Sequence, residues 1–407
     1  MRLPAGLRGL PRDTYVLALV AFCVALGFGI VVPAVPLFAL HFGVGPTAAG
    51  AVVSAFALMR LVSGLAGGRL VDRVGERIAL LAGLGIVAVS SLLAGLAVTY
   101  PQLLVLRGVG GVGSAIFTIA GTSLLLRVAS AGQRGRTQSV YRGGFLLGGI
   151  IGPAFGGAVI GFSLRAPFFL YAGTLTLGAL AAGTLLPRGR PRAAGTTNTE
   201  GRGEEPARDL PPSRMSLTTA LAKPAYQAAL AGNFAVGFSV LGVRSTLVPL
   251  LIVRRLHLAP GWIGAAFVVA ALVQTALLLP AGRAVDDLGR RPTLIAGGLV
   301  TAASLVGLAL VTGPLSLLVA MSVFAIGAAL LGVAPAAIVG DVIEGTGGTA
   351  VAVWQMASDL GAVLGPLVAG LLVERASFGL ALAASAAVVA GCAVLGLRVP
   401  TRPAIGA

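Results

Sequence analysis

Twelve apolar runs of about 20 residues each limit what this chain can fold into more than any other feature of its sequence. A helix needs about 20 apolar residues to cross a bilayer, where only bonds within the protein can satisfy its backbone. Charged residues make up 10% of the 407 residues, against about 25% in soluble domains. We therefore predict an all-α membrane protein of twelve transmembrane helices, called spans 1 to 12, over residues 14–38, 47–69, 78–98, 101–126, 139–162, 165–186, 225–252, 260–281, 293–311, 314–340, 349–373 and 377–397.

A polar segment between predicted spans 6 and 7 divides the chain into two halves. Residues 188–223 are rich in Arg, Glu, Pro, Gly and Thr and cannot bury an apolar core. We predict a flexible cytoplasmic linker there. Residues 1–187 then form an N-terminal six-helix bundle and residues 224–407 a C-terminal six-helix bundle.

The basic residues predict the orientation of the chain in the membrane. Of the 29 basic residues, 21 fall in the termini, the linker and the loops on the N-terminal side, and four fall in the loops on the other side. Lys and Arg accumulate in cytoplasmic loops, so we expect a multi-pass protein of the inner (plasma) membrane with both termini cytoplasmic. This topology accounts for the net charge of +16. We therefore predict the lipid bilayer and no nucleic acid as partner, and we expect a monomer.

The two halves repeat each other at an offset of about 214 residues. The segment GRLVDRVGERIAL (Gly68–Leu80) recurs as GRAVDDLGRRPTL (Gly282–Leu294), and GGIIGPAFGG (Gly148–Gly157) recurs as GAVLGPLVAG (Gly361–Gly370). Parallel repeats of this kind relate two bundles by a pseudo-two-fold axis along the membrane normal. The repeat predicts a cavity between the bundles near the bilayer midplane.

The glycines of span 5 predict close helix packing. Gly148, Gly152 and Gly156 are four residues apart and share one face, and small residues let helices approach closely in lipid. Pro153 lacks a backbone donor and can bend the helix. We predict that this face lies at the seam between the bundles, where it seals and slides; tight packing without a switching role is the alternative.

These segments resemble the signatures of the major facilitator superfamily, and within it the twelve-helix drug/proton antiporter group. The signature of the loop between helices 2 and 3 is matched by Gly68, Leu70, Asp72, Arg73, Gly75, Arg77 and Leu80, and its second copy keeps Asp286, Gly289 and Arg290. The antiporter signature of helix 5 is matched by Gly148, Gly152, Pro153, Gly156 and Gly157, with Gly361, Gly365 and Pro366 in the second copy. The helix 4 signature is matched from Arg107 to Ala115.

The resemblance implies a transporter that works by alternating access, and the helix 5 signature favours an exporter over an importer. It implies that Asp72 and Arg73 form a cytoplasmic latch while the cavity faces outward, and that Arg107 acts in proton transfer or in cavity electrostatics. It also implies a cavity lined by spans 1, 4, 7 and 10. Those spans offer Phe28, Phe117, Asn233, Phe234, Phe238, Arg244 and Phe324 as substrate-cavity residues.

Charged residues inside spans are costly and usually functional. Asp359 is the one carboxylate well inside a span, about ten residues or about 15 Å deep, and Arg60 lies at similar depth on span 2. In the fold that the resemblance implies, spans 2 and 11 are neighbours across the seam. We predict that Arg60 and Asp359 pair in one conformation and separate in the other, so that protonation of Asp359 eases the switch; a permanent ion pair that fixes packing is the alternative.

The predicted cavity offers few polar side chains, and buried hydroxyls of a sugar would lack partners there. We therefore expect proton-coupled export of small lipophilic or drug-like compounds, with the proton gradient as energy source. An uncoupled or uptake carrier for a small, possibly anionic, metabolite and a non-transporting sensor or scaffold are the alternatives. The sequence contains no Ser/His/Asp set and no phosphate-binding loop after a strand, so we predict no enzyme, no cofactor and no metal.

Overall fold

The computed structural model describes residues 10–128, 134–187, 216–343 and 348–400. Eleven helices of the described chain are long and apolar enough to cross a membrane, and a helix pair bent by 43° makes a twelfth. The predicted all-helical fold with twelve spans is therefore confirmed. Most of the predicted linker lies outside the described residues, but Leu217–Ala222 form a short helix capped by Ser216.

The spans of the first half are helical over most of their predicted lengths. Their observed bounds are Arg12–Val31 with Ala34–Leu40 (span 1), Pro46–Val74 (span 2), Glu76–Gly95 (span 3), Tyr100–Val128 (span 4), Arg134–Ile160 (span 5) and Ala166–Leu185 (span 6).

The spans of the second half include two that are not regular α-helices. Span 7 combines Pro224–Val236 and Arg244–Leu250 with π-helical turns at Gly237–Val243 and Leu251–Arg255. Span 8 is the bent pair. Their bounds are Pro224–Arg255 (span 7), Gly261–Ala276 with Leu278–Asp287 (span 8), Arg290–Ala309 (span 9), Pro314–Val342 (span 10), Gly348–Arg375 (span 11) and Phe378–Val394 with Leu395–Arg398 (span 12).

Proline and glycine fix several span boundaries. Pro46, Pro224 and Pro314 occupy the first turn of their helices, where a missing backbone donor costs nothing. Gly75 and Gly289, which are equivalent in the repeat, have φ angles of 85° and 98°. Residues with a side chain rarely adopt this conformation, so both tight connections, between spans 2 and 3 and between spans 8 and 9, depend on glycine.

The spans form two bundles that meet along a seam. Span 1 packs on spans 5 and 6, and span 4 packs on spans 2 and 3, in the first bundle; span 11 packs on span 7, and span 9 packs on spans 10 and 12, in the second. The seam consists mainly of span 2 against span 11 and span 5 against span 8. We call the membrane side that carries the connection between spans 2 and 3 the basic side, and the other the opposite side.

Candidate functional site

Glycines bring the bundles into backbone contact on the opposite side. A Cβ placed on Gly264 of span 8 would lie 2.7 Å from the Cα of Gly157 and 3.1 Å from the carbonyl oxygen of Pro153 on span 5. In the other half of the repeat, a Cβ on Gly50 of span 2 would overlap the carbonyl of Pro366 on span 11. Two equivalent contacts therefore close the seam. Each joins a glycine of one bundle to the proline of a Gly-Pro pair, called a GP motif, in the other bundle.

Polar contacts between spans 2 and 11 lie on both sides of the contact of Gly50 with Pro366. The backbone nitrogen of Thr47 donates to Glu374 Oε2 at 3.0 Å, and Ser54 Oγ donates to the carbonyl of Val363 at 2.6 Å. Towards the basic side the next polar contact is the ion pair of Arg60 Nε with Asp359 Oδ1, at 3.6 Å. The predicted pairing of Arg60 with Asp359 is therefore present in this conformation.

The seam opens beyond this ion pair. Gly64 and Gly68 follow Arg60 on the same face of span 2, and no other part of the described protein lies within 4 Å of a Cβ placed on either. The same is true of Gly282, the repeat equivalent of Gly68. The bundles are thus closed on the opposite side and separated on the basic side.

A cavity of about 100 Å³ lies at the point where the seam opens. Pockets for drug-sized ligands usually measure about 300–1,000 Å³, so this conformation has room for part of such a molecule. Its lining is mostly apolar, with polar atoms from only four side chains. The lining residues are Phe28, Val32, Val35, Val53, Phe56, Ala57, Arg60, Arg107, Leu241, Ser245, Asp359 and Ala362.

The Arg60–Asp359 pair forms part of the cavity wall and is reachable by solvent. The Arg60 side chain is 29% exposed and that of Asp359 is 13% exposed. An ion pair in this setting is weakened by solvent but still opposes separation of the two charges. The pair is a contact between the two bundles whose Coulomb attraction requires an ionised Asp359.

Arg107 is the second cation of the cavity wall. It is 4% exposed, and its guanidinium carbon lies 4.5 Å from the centroid of the Phe56 ring. Its Nε has no hydrogen-bond partner, and no carboxylate of the described chain forms an ion pair with it. The site thus holds a buried guanidinium that a cation–π contact stabilises only in part.

Most of the predicted substrate-cavity residues do not line this cavity. Phe28 does, but Phe238 and Phe324 are 2% and 0% exposed and belong to the apolar core. Of the spans expected to line the cavity, spans 1, 4 and 7 do so, whereas span 10 contributes none of the lining residues in this conformation. Spans 2 and 11 supply Phe56, Arg60 and Asp359 in addition.

The other predicted cavity residues are engaged elsewhere. The side-chain amide of Asn233 donates to the carbonyl of Trp354 at 2.7 Å. Arg244 lies over the rings of Phe267 and Phe324, at 5.4 and 5.5 Å, and away from the cavity. Phe234 stacks on Phe238, and Phe117 is buried where span 3 approaches span 4 through Gly83.

Phe56 and Ser245 are cavity residues that the sequence did not predict. Phe56 precedes Arg60 by four residues, and residues four apart share a helix face. That spacing was the available signal. Ser245 carries no such signal, because its direction depends on the π-helical turn that precedes it.

The glycine faces of the GP motifs lie inside each bundle and not at the seam. A Cβ on Gly148 or Gly152 would meet span 1 backbone at Phe22 or Leu26, and Gly156 meets Ile30 in the same way. Gly361 and Gly365 face the backbone of span 7 at Phe234 and Phe238. Of the span 5 motif, Gly157 and the carbonyl of Pro153 contact the second bundle. The predicted seam position is therefore wrong for the three spaced glycines, whose role is tight packing within the bundle.

The predicted latch residues lie apart from the second bundle in this conformation. Asp72 and Arg73 are exposed, as expected where the basic side is open. Arg77 donates to the carbonyl of Gly183 on span 6 of its own bundle. In the second copy, Arg290 pairs with Asp286 at 3.5 Å and with Asp341 at 2.8 Å.

The repeat also contains an ion pair with exchanged charges. Glu76 at the start of span 3 pairs with Arg127 at the end of span 4, at 2.7 Å. The equivalent positions in the second bundle hold Arg290 and Asp341, which pair across spans 9 and 10. Glu76 and Arg290 therefore carry opposite charges at equivalent positions, and each forms an ion pair there.

The described chain contains no group of three or more metal-ligating side chains.

Comparison with known proteins agrees with a transporter. The chain is 32% identical over 148 residues to multidrug resistance protein 2 of Bacillus subtilis (strain 168). These 148 residues are 36% of this chain and 37% of that protein. It is 29% identical over 168 residues to quinolone resistance protein NorA of Staphylococcus aureus (strain MRSA252), covering 40% and 42%. These matches thus span less than half of each relative.

Similarity of fold and of family extends over the whole chain. The structure matches a bacterial homologue of the human lysosomal transporter Spinster, solved in an inward-facing and occupied conformation. The TM-score is 0.74 and the identity 16%, over 95% of each chain. The family model of the Major Facilitator Superfamily matches residues 17–244 and 229–407. The chain is a multi-pass membrane protein that belongs to the Major Facilitator Superfamily.

Proposed function

We propose that the chain exports small lipophilic compounds in exchange for protons by alternating access. The observation that carries this proposal is the position of Asp359, paired with Arg60 at 3.6 Å where the closed part of the seam meets the open part. A carboxylate at this position can exchange a proton with one side of the membrane and affect the contact that holds two bundles together. The resemblance to multidrug resistance proteins supports the same reaction.

The basic side is cytoplasmic in this proposal. Its loops, together with the termini and the linker, carry 21 of the 29 basic residues, and cytoplasmic loops are enriched in Lys and Arg. The conformation described above is then open to the cytoplasm, where an exporter takes up its substrate. The solved transporter that it resembles in fold is also inward-facing.

Protonation of Asp359 is the proposed coupling step. Ionised Asp359 attracts Arg60 and favours the conformation in which spans 2 and 11 stay in contact. A neutral Asp359 no longer holds the guanidinium, so the contact loses its Coulomb attraction and the seam separates more easily. In the other conformation, where the pair is separated and the opposite side is open, Asp359 takes up a proton from outside. When the conformation described above returns and the ion pair re-forms, Asp359 releases that proton to the cytoplasm, so proton entry accompanies export.

The cavity wall supports a lipophilic substrate. Besides its three charged residues it has one polar side chain, Ser245, and the remaining lining residues are apolar. A sugar would leave several hydroxyls without partners in such a site, at a cost of about 1–3 kcal/mol for each. An aromatic or aliphatic molecule has no such cost.

The test is the exclusion of a neutral lipophilic dye from cells that express the wild type, Asp359→Asn or a control variant. Asp287→Asn is the matched control, because it removes an exposed carboxylate outside the cavity. Wild type and control should exclude the dye, and a protonophore should abolish exclusion in both. Asp359→Asn should accumulate dye at equal expression.

Three results would contradict parts of this proposal. Exclusion that survives the protonophore would show that transport is not driven by protons. Exclusion that survives Asp359→Asn would exclude this carboxylate as the coupling site. A wild type that never excludes the dye would favour uptake of a metabolite, which a radiolabelled uptake screen in the same cells would then examine.

A further inference from the structure

Arg107 is a buried cation for which this conformation supplies no anion. It lies on span 4, 4% exposed, and it lines the cavity. Its Nε has no hydrogen-bond acceptor among the described residues. Burial of an ionised group is costly unless an opposite charge or hydrogen bonds compensate for it.

The other charges of the cavity do not compensate for Arg107. The wall contains two guanidiniums, Arg60 and Arg107, and a single carboxylate, Asp359. That carboxylate is engaged with Arg60 at 3.6 Å. The cavity therefore has an excess of one positive charge while the ion pair is intact.

Aromatic side chains lie on one side of the Arg107 guanidinium. The Phe56 ring lies 4.5 Å from the guanidinium carbon of Arg107, and the centroid of the Phe28 ring lies 6.1 Å from that of Phe56. Both rings line the same cavity. A guanidinium with one face on an aromatic ring keeps its N–H edge for an acceptor, and carboxylates match that edge with two parallel bonds.

We infer that the site takes amphiphiles that combine an aromatic body with a single carboxylate, and that Arg107 binds the carboxylate. The aromatic body packs against Phe28 and Phe56. This inference deepens the proposed function and rests on it, because it names the substrate class of the same cavity. Arg244, the other buried arginine, is not assigned this role because it lies over Phe267 and Phe324 and does not line the cavity.

The test measures binding to the purified full chain in detergent, where no proton gradient exists. The probes are 2-naphthylacetate and its primary amide, which have the same ring and nearly the same size but differ in charge. Calorimetry gives the two dissociation constants for the wild type, Arg107→Gln, Arg107→Lys and the control Arg254→Gln. Arg254 is exposed at the end of span 7.

The wild type and Arg254→Gln should bind the carboxylate at least about tenfold more tightly than the amide, as expected for a hydrogen bond to a charged group. Arg107→Gln should remove this preference, and Arg107→Lys should keep part of it. If Arg107 had a purely structural role, Arg107→Gln would weaken the binding of both probes by the same factor. The ratio of the two dissociation constants therefore distinguishes recognition of the carboxylate from an effect on folding. Size-exclusion chromatography checks that each variant is monodisperse.

Equal binding of carboxylate and amide by the wild type would overturn the inference. So would a preference that persists in Arg107→Gln, and so would failure of the wild type to bind the carboxylate. None of these results affects the dye-exclusion test of Asp359, so the two proposals fail separately. Dye export without carboxylate binding would leave proton-coupled export standing and exclude acidic substrates.

Discussion

The residues that join spans 2 and 11 differ in charge along the length of the contact. Next to Arg60 towards the opposite side, the contact is uncharged and consists of the Ser54 hydroxyl on the Val363 carbonyl. At its inner end it consists of the Arg60–Asp359 ion pair. The pair whose attraction depends on the protonation state of a carboxylate therefore lies where the bundles begin to separate. We expect substitutions of these two residues to change transport more than they change the stability of the fold.

We expect a double-mutant cycle to detect a modest attraction between Arg60 and Asp359. The variants are Arg60→Gln, Asp359→Asn and the double substitution, and the measurement is thermal unfolding in detergent. A partly exposed pair should show a coupling energy of about 0.5–1 kcal/mol. Strictly additive effects would mean that the two side chains lie near each other without stabilising this conformation.

Helices are held together here by backbone proximity on two different surfaces. The spaced glycines of spans 5 and 11 face spans 1 and 7 of their own bundles, whereas Gly264 and Gly50 contact the other bundle. The first set stabilises each bundle as a rigid body, and the second set determines how closely the bundles meet. Side chains added to the two sets should therefore have different consequences.

Gly264→Val should impair transport because its side chain would meet the backbone of Gly157 and Pro153 and prevent closure of spans 5 and 8. Gly261→Val is the matched control, since it places the same side chain on the same span and on the same membrane side, where nothing lies within 4 Å. Dye exclusion at equal expression measures the effect. Equal activity of the two variants would show that this contact is not required for closure.

The ends of spans 3 and 4 should tolerate reversal of their charges. Arg127→Glu leaves two carboxylates facing each other where Glu76 and Arg127 now pair at 2.7 Å, whereas the double substitution Glu76→Arg with Arg127→Glu restores an ion pair of the kind found between Arg290 and Asp341. Because Arg127 is 51% exposed, the single change should cost only about 0.5–1 kcal/mol. Thermal unfolding of the double variant at the temperature of the single variant would contradict this expectation.

The molecule as a whole is in a conformation with one closed and one open side. Two six-helix bundles that pack tightly inside themselves and meet mainly along spans 2 and 11 and spans 5 and 8 can move as rigid bodies. Asp72 and Arg73, which are exposed here, would contact the second bundle only when the basic side closes. Access to the seam should therefore differ between its two ends.

Cysteine labelling should reveal this asymmetry and the orientation together. In a background without Cys23 and Cys392, Gly64→Cys should react with an impermeant maleimide in inside-out vesicles, because nothing in the described protein covers it. Ser54→Cys should stay unreactive there, because Ser54 is 3% exposed. Faster labelling of Gly64→Cys in right-side-out vesicles would show that the basic side is not cytoplasmic.

The sequence by itself determined the number of spans, the repeat and the depth of Arg60 and Asp359, and the family resemblance placed these two charges on neighbouring spans. Apolar length and charge are local properties that the bilayer converts directly into helices, and a charge inside a span needs a partner at its own depth. The tertiary structure decided which face of each helix meets which neighbour. A span that is apolar on all sides does not mark its packing face, so the intra-bundle role of Gly148 and the place of Phe56 in the cavity could not be predicted from the chain alone.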